Sequence, residues 1–101
     1  MKPQRLVLKI GTNVLQRPNG KLDYNQISEF TQLVAEIRSQ KHEVLIISSG
    51  AVGAGRELCQ FDSADNPLIQ KQILASVGQA RLMQIYTDFL REHHLTIAQV
   101  L

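Results

Sequence analysis

The sequence predicts an α/β domain built on a parallel sheet. Two short apolar runs, Arg5–Ile10 (RLVLKI) and Glu43–Ser48 (EVLIIS), are rich in leucine and β-branched residues and read as buried strands. A pattern of helical period separates them, and a longer one follows the second run. Continuous apolar strands alternating with helices favour a parallel sheet covered on both faces.

Each element has its own signal. Residues 11–23 hold Gly11, Asn13, Pro18, Asn19 and Gly20, a turn-rich loop in which Pro18-Asn19-Gly20 marks a turn. Asp23 or Asn25 can cap the helix that follows. There Ile27, Phe30, Leu33, Val34 and Ile37 recur at three- and four-residue steps, one apolar face of an amphipathic helix. The helix is expected to end near Lys41-His42, where cationic side chains suit a helix C-terminus. After the second strand, residues 51–58 read as a short helix and residues 60–67 as a polar loop. A long helix is predicted over about residues 68–93. Its apolar set is Ile69, Ile73, Leu74, Val77, Leu82, Ile85, Phe89 and Leu90, and Gly78 marks a bend or a close approach. Residues 96–101 (TIAQVL) read as the start of a third strand.

The bulk properties exclude several classes. At 101 residues the chain suffices for one domain with a modest core. Its 44% hydrophobic and 20% charged residues are ordinary for a soluble globular protein. The longest apolar runs are a handful of residues, too short to span a membrane. Lys2, Arg5 and Lys9 interrupt any signal-peptide segment, so a cytoplasmic protein is expected. A net charge of +2 and few aromatics give no nucleic-acid footprint. Cys59 is the only cysteine, which rules out an internal disulfide or a thiol metal cluster within the chain. The sequence stops inside an apparent strand, and residues 1–101 are read as the N-terminal part of a single larger domain.

In an open parallel sheet, ligands bind at the carboxyl ends of the strands. Two loops stand there: Lys9-Ile10-Gly11-Thr12-Asn13 and Ser48-Ser49-Gly50-Ala51. Lys9 is the last charge of an apolar strand, and an ammonium there loses hydration unless it faces a ligand, a partner or open water. A lysine beside a glycine turn suits phosphate, because amide N–H groups can cradle the oxygens while the ammonium neutralises charge. The alternative is a solvated strand end. Ser49-Gly50 is either a small-anion site or a helix cap. The P-loop pattern G-x-x-x-x-G-K-S/T is missing. Gly53-Ala54-Gly55-Arg56-Glu57-Leu58 has leucine where a dinucleotide motif has its third glycine, and Ile47 stands where a nucleophile elbow has its first. His42, His93 and His94 are expected as solvated residues at helix ends.

Taken together, these segments resemble the glutamate 5-kinases of the amino-acid kinase superfamily. The resemblance rests on Val7-Leu8-Lys9-Ile10-Gly11-Thr12-Asn13-Val14-Leu15 and on Ser48-Ser49-Gly50-Ala51-Val52-Gly53-Ala54-Gly55-Arg56. Lys71-Gln72, Ala75-Ser76-Val77-Gly78-Gln79, Arg81-Leu82-Met83 and Ala98-Gln99-Val100-Leu101 extend it along the whole chain. It implies an open α/β/α sandwich with a mostly parallel central sheet. It implies transfer of the γ-phosphoryl group of ATP, with Mg²⁺, to the side-chain carboxylate of L-glutamate, opening proline biosynthesis. By position, Lys9 matches the family's catalytic lysine on the ATP phosphates, with Gly11 and Thr12 in the accompanying loop. Ser49 matches the glutamate-binding serine, with Gly50 and Ala51 beside it. No metal ligand is assigned within the chain.

The resemblance further implies a homo-oligomer and a functional link to the reductase that consumes glutamyl 5-phosphate; from charge and apolar patterning, neither nucleic acid nor membrane is expected as a partner. Asn13 replaces a common serine of the family and Gly53 a common alanine. The family's remaining glutamate ligands, second lysine and adenine pocket lie beyond residue 101, so these residues alone are expected to be inactive. The competing readings are acetylglutamate kinase or uridylate kinase, against which Ser49-Gly50-Ala51 argues, and a non-catalytic α/β interaction module.

Overall fold

The computed structural model describes residues 2–61 and 66–100. Strand β1 (Arg5–Ile10) pairs in parallel with β2 (Glu43–Ser48), in register from Arg5↔Glu43 to Ile10↔Ser48. Between them run α1 (Thr12–Leu15) and α2 (Tyr24–Ser39), and after β2 come α3 (Ala51–Arg56) and α4 (Pro67–Arg91). The α/β class and the parallel pairing are as the sequence predicts. Positions 62–65 of the expected polar loop and Leu101 lie outside the described residues. No described helix is long and apolar enough to cross a membrane.

The turn-rich loop after β1 contains one helical turn, α1, which buries Leu15 completely. Beyond it, Gln16 bridges Leu22, and Gly20 takes the left-handed conformation (φ +82°) at the turn marked by Pro18-Asn19-Gly20. Asp23 caps α2 by accepting from the N–H groups of Asn25 and Gln26, at 3.1 and 3.3 Å. The buried stripe of α2 is Ile27, Thr31 and Val34, whereas the predicted Leu33 is exposed. Thr31 is tolerated inside because its hydroxyl donates to the carbonyls of Ile27 and Ser28. The helix stops at Ser39, earlier than expected, where Lys41 turns left-handed (φ 67°). His42 then enters the interior rather than solvent, being 5% exposed. Its Nδ1 accepts the Gln4 N–H at 3.0 Å, while Arg38 donates to its carbonyl at 2.7 Å.

Helix α4 begins at an Asn66 cap with Pro67 in the first turn and is continuous to Arg91. Gly78 is a point of contact with α3, not a break. The inward stripe of α4 is Leu74, Gly78, Leu82, Ile85, Tyr86 and Leu90. Ile69 and Ile73, predicted inside, are exposed, because the stripe follows the glycine contact. The core joins Ile10, Leu15, Leu22, Ile27, Ala54, Leu82, Ile85 and Tyr86.

Two expectations fail. Residues 96–100 do not form a third strand; Ile97 packs against the core, but the segment makes no ladder with β2. A cavity of about 750 Å³ runs beside β2, lined in part by Leu95, Ile97 and Val100. The sheet is also covered on one face only among the described residues. Side chains alternate across a strand, so Ile10 and Ile46 face the helices. Val7, Leu45 and Ile47 project from the other face and are 57%, 45% and 51% exposed.

Candidate functional site

The parallel register makes both strands end together, so the loops after Ile10 and Ser48 leave side by side. The Ser49 N–H extends the ladder by donating to the Ile10 carbonyl at 3.0 Å. The chain then turns sharply at Gly50 (φ +109°, ψ −1°), the N-cap of α3. A side chain is disfavoured there on two counts: the left-handed backbone, and Leu15 Cδ1 standing 3.2 Å from where a Cβ would lie. Gly50 contributes no side-chain cap and Ser49 makes none, so the capping alternative for Ser49 is not realised. Its exposed hydroxyl makes no hydrogen bond among the described residues.

Ser48 anchors the loop from beneath. Its Oγ donates to the Ser49 carbonyl at 2.7 Å and lies 2.7 Å from the Tyr86 hydroxyl. Tyr86 is buried, and burial pushes its phenol above the usual value, opposed in part by the Ser48 bond.

Between the two loops and the start of α4 lies a cavity of about 370 Å³, within the range of small-molecule sites. Thr12, Gln16, Ser49, Gly50, Arg56 and Lys71 are among the residues lining it. Ser48, Ala51 and Val52 complete the lining. Four of the sequence-predicted residues, Thr12, Ser49, Gly50 and Ala51, are therefore brought together. Two are not. Gly11 caps α1 without lining the cavity. Lys9 is exposed at the end of β1, in register with Ile47, on the sheet face away from the core. It makes no ion pair among the described residues.

Sequence reasoning assigned no role to Arg56, Lys71 or Gln16. Arg56 and Lys71 stand in the segments that carry the family resemblance, which is the signal that could have placed them; Gln16 has no such signal. Arg56 donates to the Gly20 carbonyl at 3.1 Å, closing the hairpin turn against α3. The neighbouring carboxylate, Glu57, is absent from the cavity lining. It accepts from the Tyr24 hydroxyl at 2.6 Å and lies 3.8 Å from Arg81 Nε, while Arg81 Nη2 is 3.5 Å from the Tyr24 oxygen. Burial and the Glu57 bond raise the Tyr24 phenol. The described lining thus has two cations, three hydroxyls and one amide but no carboxylate, a composition suited to an anion. No group of three His, Cys, Asp or Glu that could hold a metal ion occurs among the described residues.

The sequence profile described as "Amino acid kinase family" matches residues 4–101. Among curated proteins, the chain is similar to "Glutamate 5-kinase" of Lactococcus lactis subsp. cremoris (strain SK11), 35% identical over 101 residues. That match covers 100% of this chain and 37% of the relative. It is also similar to "Glutamate 5-kinase" of Bacillus cereus (strain ATCC 10987 / NRS 248), 40% identical over 101 residues, covering 100% of this chain and 28% of the relative. A third relative is "Glutamate 5-kinase" of Citrifermentans bemidjiense, 42% identical over 100 residues, covering 99% of this chain and 27% of the relative. The chain therefore spans between 27% and 37% of the length of these three relatives.

Proposed function

Because this chain belongs to the Amino acid kinase family, we propose that it carries the acceptor cavity and part of the donor site of an ATP-dependent kinase acting on the side-chain carboxylate of L-glutamate. The product is glutamyl 5-phosphate, the entry to proline biosynthesis. The observation that carries this reading is the single cavity formed by Thr12, Ser49, Gly50 and Ala51 together with Arg56 and Lys71. Glutamate as the acceptor follows the names of the similar proteins.

The acceptor carboxylate needs no general base, since a glutamate side chain with a pKa near ~4.3 is ionised at neutral pH. One of its oxygens attacks the γ-phosphorus while the bond to the β–γ bridging oxygen breaks and ADP leaves. Arg56 and Lys71 hold the acceptor's anionic groups, and the Ser49 hydroxyl donates to one of them. Gly50 admits the sharp turn that presents Ser49. Lys9 meets the donor phosphates at the strand end, with the Gly11–Thr12 backbone alongside. Positioning and charge stabilisation supply the rate enhancement in such transfers. ATP supplies the phosphoryl group, and Mg²⁺ bound with it would neutralise charge on the phosphates.

In this reading residues 1–101 are the N-terminal part of one kinase domain, and alone they turn over no ATP. Homo-oligomerisation, a cytoplasmic setting and transfer of the unstable acyl phosphate to a reductase belong to the same reading. The test is ADP release by the product of the complete reading frame containing these residues, with L-glutamate, acetylglutamate and UMP compared as acceptors. Stimulation by L-glutamate alone supports the proposal. Preference for either other acceptor, or no acceptor dependence at all, defeats it.

A further inference from the structure

Gln16 lies just after α1, and its side chain crosses the face of α3 at Gly53. A Cβ placed on Gly53 would stand 2.7 Å from Gln16 Nε2 and 3.1 Å from both its Cδ and its Cγ. Atoms packed at normal density do not approach so closely, so the amide as placed occupies room that exists because position 53 is glycine. The Gln16 backbone is fixed on both sides: its N–H donates to the Thr12 carbonyl at 2.9 Å, and the residue bridges Leu22. Its carboxamide makes no hydrogen bond among the described residues, yet it lines the cavity with Ser49, Arg56 and Lys71.

We propose that Gln16 is a specificity-determining residue whose carboxamide oxygen accepts a hydrogen bond from the ammonium of an α-amino-acid acceptor, and that Gly53 makes room for it. The inference rests on the acceptor reading above. Arg56 and Lys71 offer donors only, so they suit carboxylates and repel an ammonium. A carboxamide oxygen is a neutral acceptor that complements the ammonium without opposing the carboxylates beside it. An acceptor lacking the ammonium, such as glutarate, gains nothing from Gln16.

The experiment measures binding of L-glutamate and of glutarate by calorimetry, and steady-state kinetics with L-glutamate, for the product of the complete reading frame. The variants are Gln16→Ala, Gln16→Met, Gly53→Ala and the double variant Gln16→Ala/Gly53→Ala. The near-isosteric Gln16→Met keeps the side-chain volume, and thermal unfolding midpoints identify any variant that fails to fold. Expected is a roughly 10-fold or greater loss of L-glutamate affinity in both Gln16 variants, with KM rising, kcat little changed and glutarate binding as in the parent. Gly53→Ala weakens L-glutamate in the same direction by displacing the amide. The double variant is no weaker than Gln16→Ala, the non-additivity of two changes acting on one contact. Parent-like L-glutamate affinity in folded Gln16→Met, or equal losses for both ligands, overturns the proposal while leaving the kinase reading standing. A parent protein that neither binds L-glutamate nor responds to it in ADP release overturns both.

Discussion

Gly78 of α4 and Ala51 of α3 meet backbone to backbone. A Cβ on Gly78 would run into the Ala51 carbonyl oxygen and stand 2.6 Å from the Gly55 nitrogen. Gly55 repeats the contact one turn along α3, where a Cβ would strike the Leu74 carbonyl. The two helices are thus held closer than side chains allow, and this seats α3, with the Ser49-Gly50 loop at its start, against the long helix. Gly78→Ala is expected to destabilise the fold by about 1–3 kcal/mol or more, because rigid backbone is what must yield. Urea unfolding measures it. An unchanged midpoint would mean that the helices separate freely and that the loop is positioned by something else.

Gly50→Ala probes the loop directly. The residue has φ +109°, where an L side chain is strained, and Leu15 leaves little room above it. A non-glycine residue in such a conformation loses roughly 1–3 kcal/mol. If the loop instead relaxes, Ser49 leaves its place at the cavity. Either a lower unfolding midpoint or weaker acceptor binding is therefore expected, and a variant unchanged in both would show that the turn has other solutions.

How much of this was legible in the sequence follows from which signals are local. RLVLKI and EVLIIS declare strands through composition, and Asp23 and Pro18-Asn19-Gly20 declare a cap and a turn, because each acts over a few residues. The bringing together of Thr12 and Ser49 followed from parallel strands whose ends align. Local pattern does not carry the approach of Lys71 to the cavity, which depends on how closely Gly78 lets α4 lie against α3; only its place in a family-like segment singles it out. Thr31 and His42 entered the interior because internal hydrogen bonds offset the loss of hydration, which an apolar pattern does not register. The failed strand after Thr96 has an apolar composition, but Ile97 turns to the core and the segment makes no ladder with the edge of β2.

Tyr86→Phe separates the hydroxyl from the ring. The ring remains to pack with Phe30, whose centroid lies 6.4 Å away, while the 2.7 Å contact with Ser48 is lost. A loss of about 0.5–1.5 kcal/mol at neutral pH is expected. The pH dependence has a defined sign. The folded-state pKa lies above the unfolded value of 10.0, so above that pH the unfolded chain gives up its proton first. Stability from this group is whole below pH 10, declines as pH rises from there and is lost through the folded pKa. Denaturant midpoints measured across the alkaline range in parent and Tyr86→Phe isolate this contribution, because other alkaline titrations are common to both. A parent curve no steeper than that of Tyr86→Phe would show that the phenol ionises as easily folded as unfolded.

Lys9 and Lys71 make the sharpest contrast, because the structure places them apart. Lys71 lines the cavity, whereas Lys9 lies at the end of β1 on the opposite sheet face. If Lys9 meets the donor and Lys71 the acceptor, their alanine variants fail in different ways. Lys9→Ala in the product of the complete reading frame is expected to lower kcat/KM for ATP by roughly 10- to 100-fold, the loss of one charge-assisted contact, while L-glutamate binding measured without nucleotide stays as in the parent. Lys71→Ala is expected to weaken L-glutamate by a similar factor and leave nucleotide binding intact. Both residues are exposed, so neither substitution removes buried packing, and the unfolding free energy should change by less than about 0.5 kcal/mol. A Lys9→Ala enzyme with parent-like ATP kinetics would return Lys9 to the role of a solvated strand end. Loss of both ligands together in either variant would mean that donor and acceptor share one pocket.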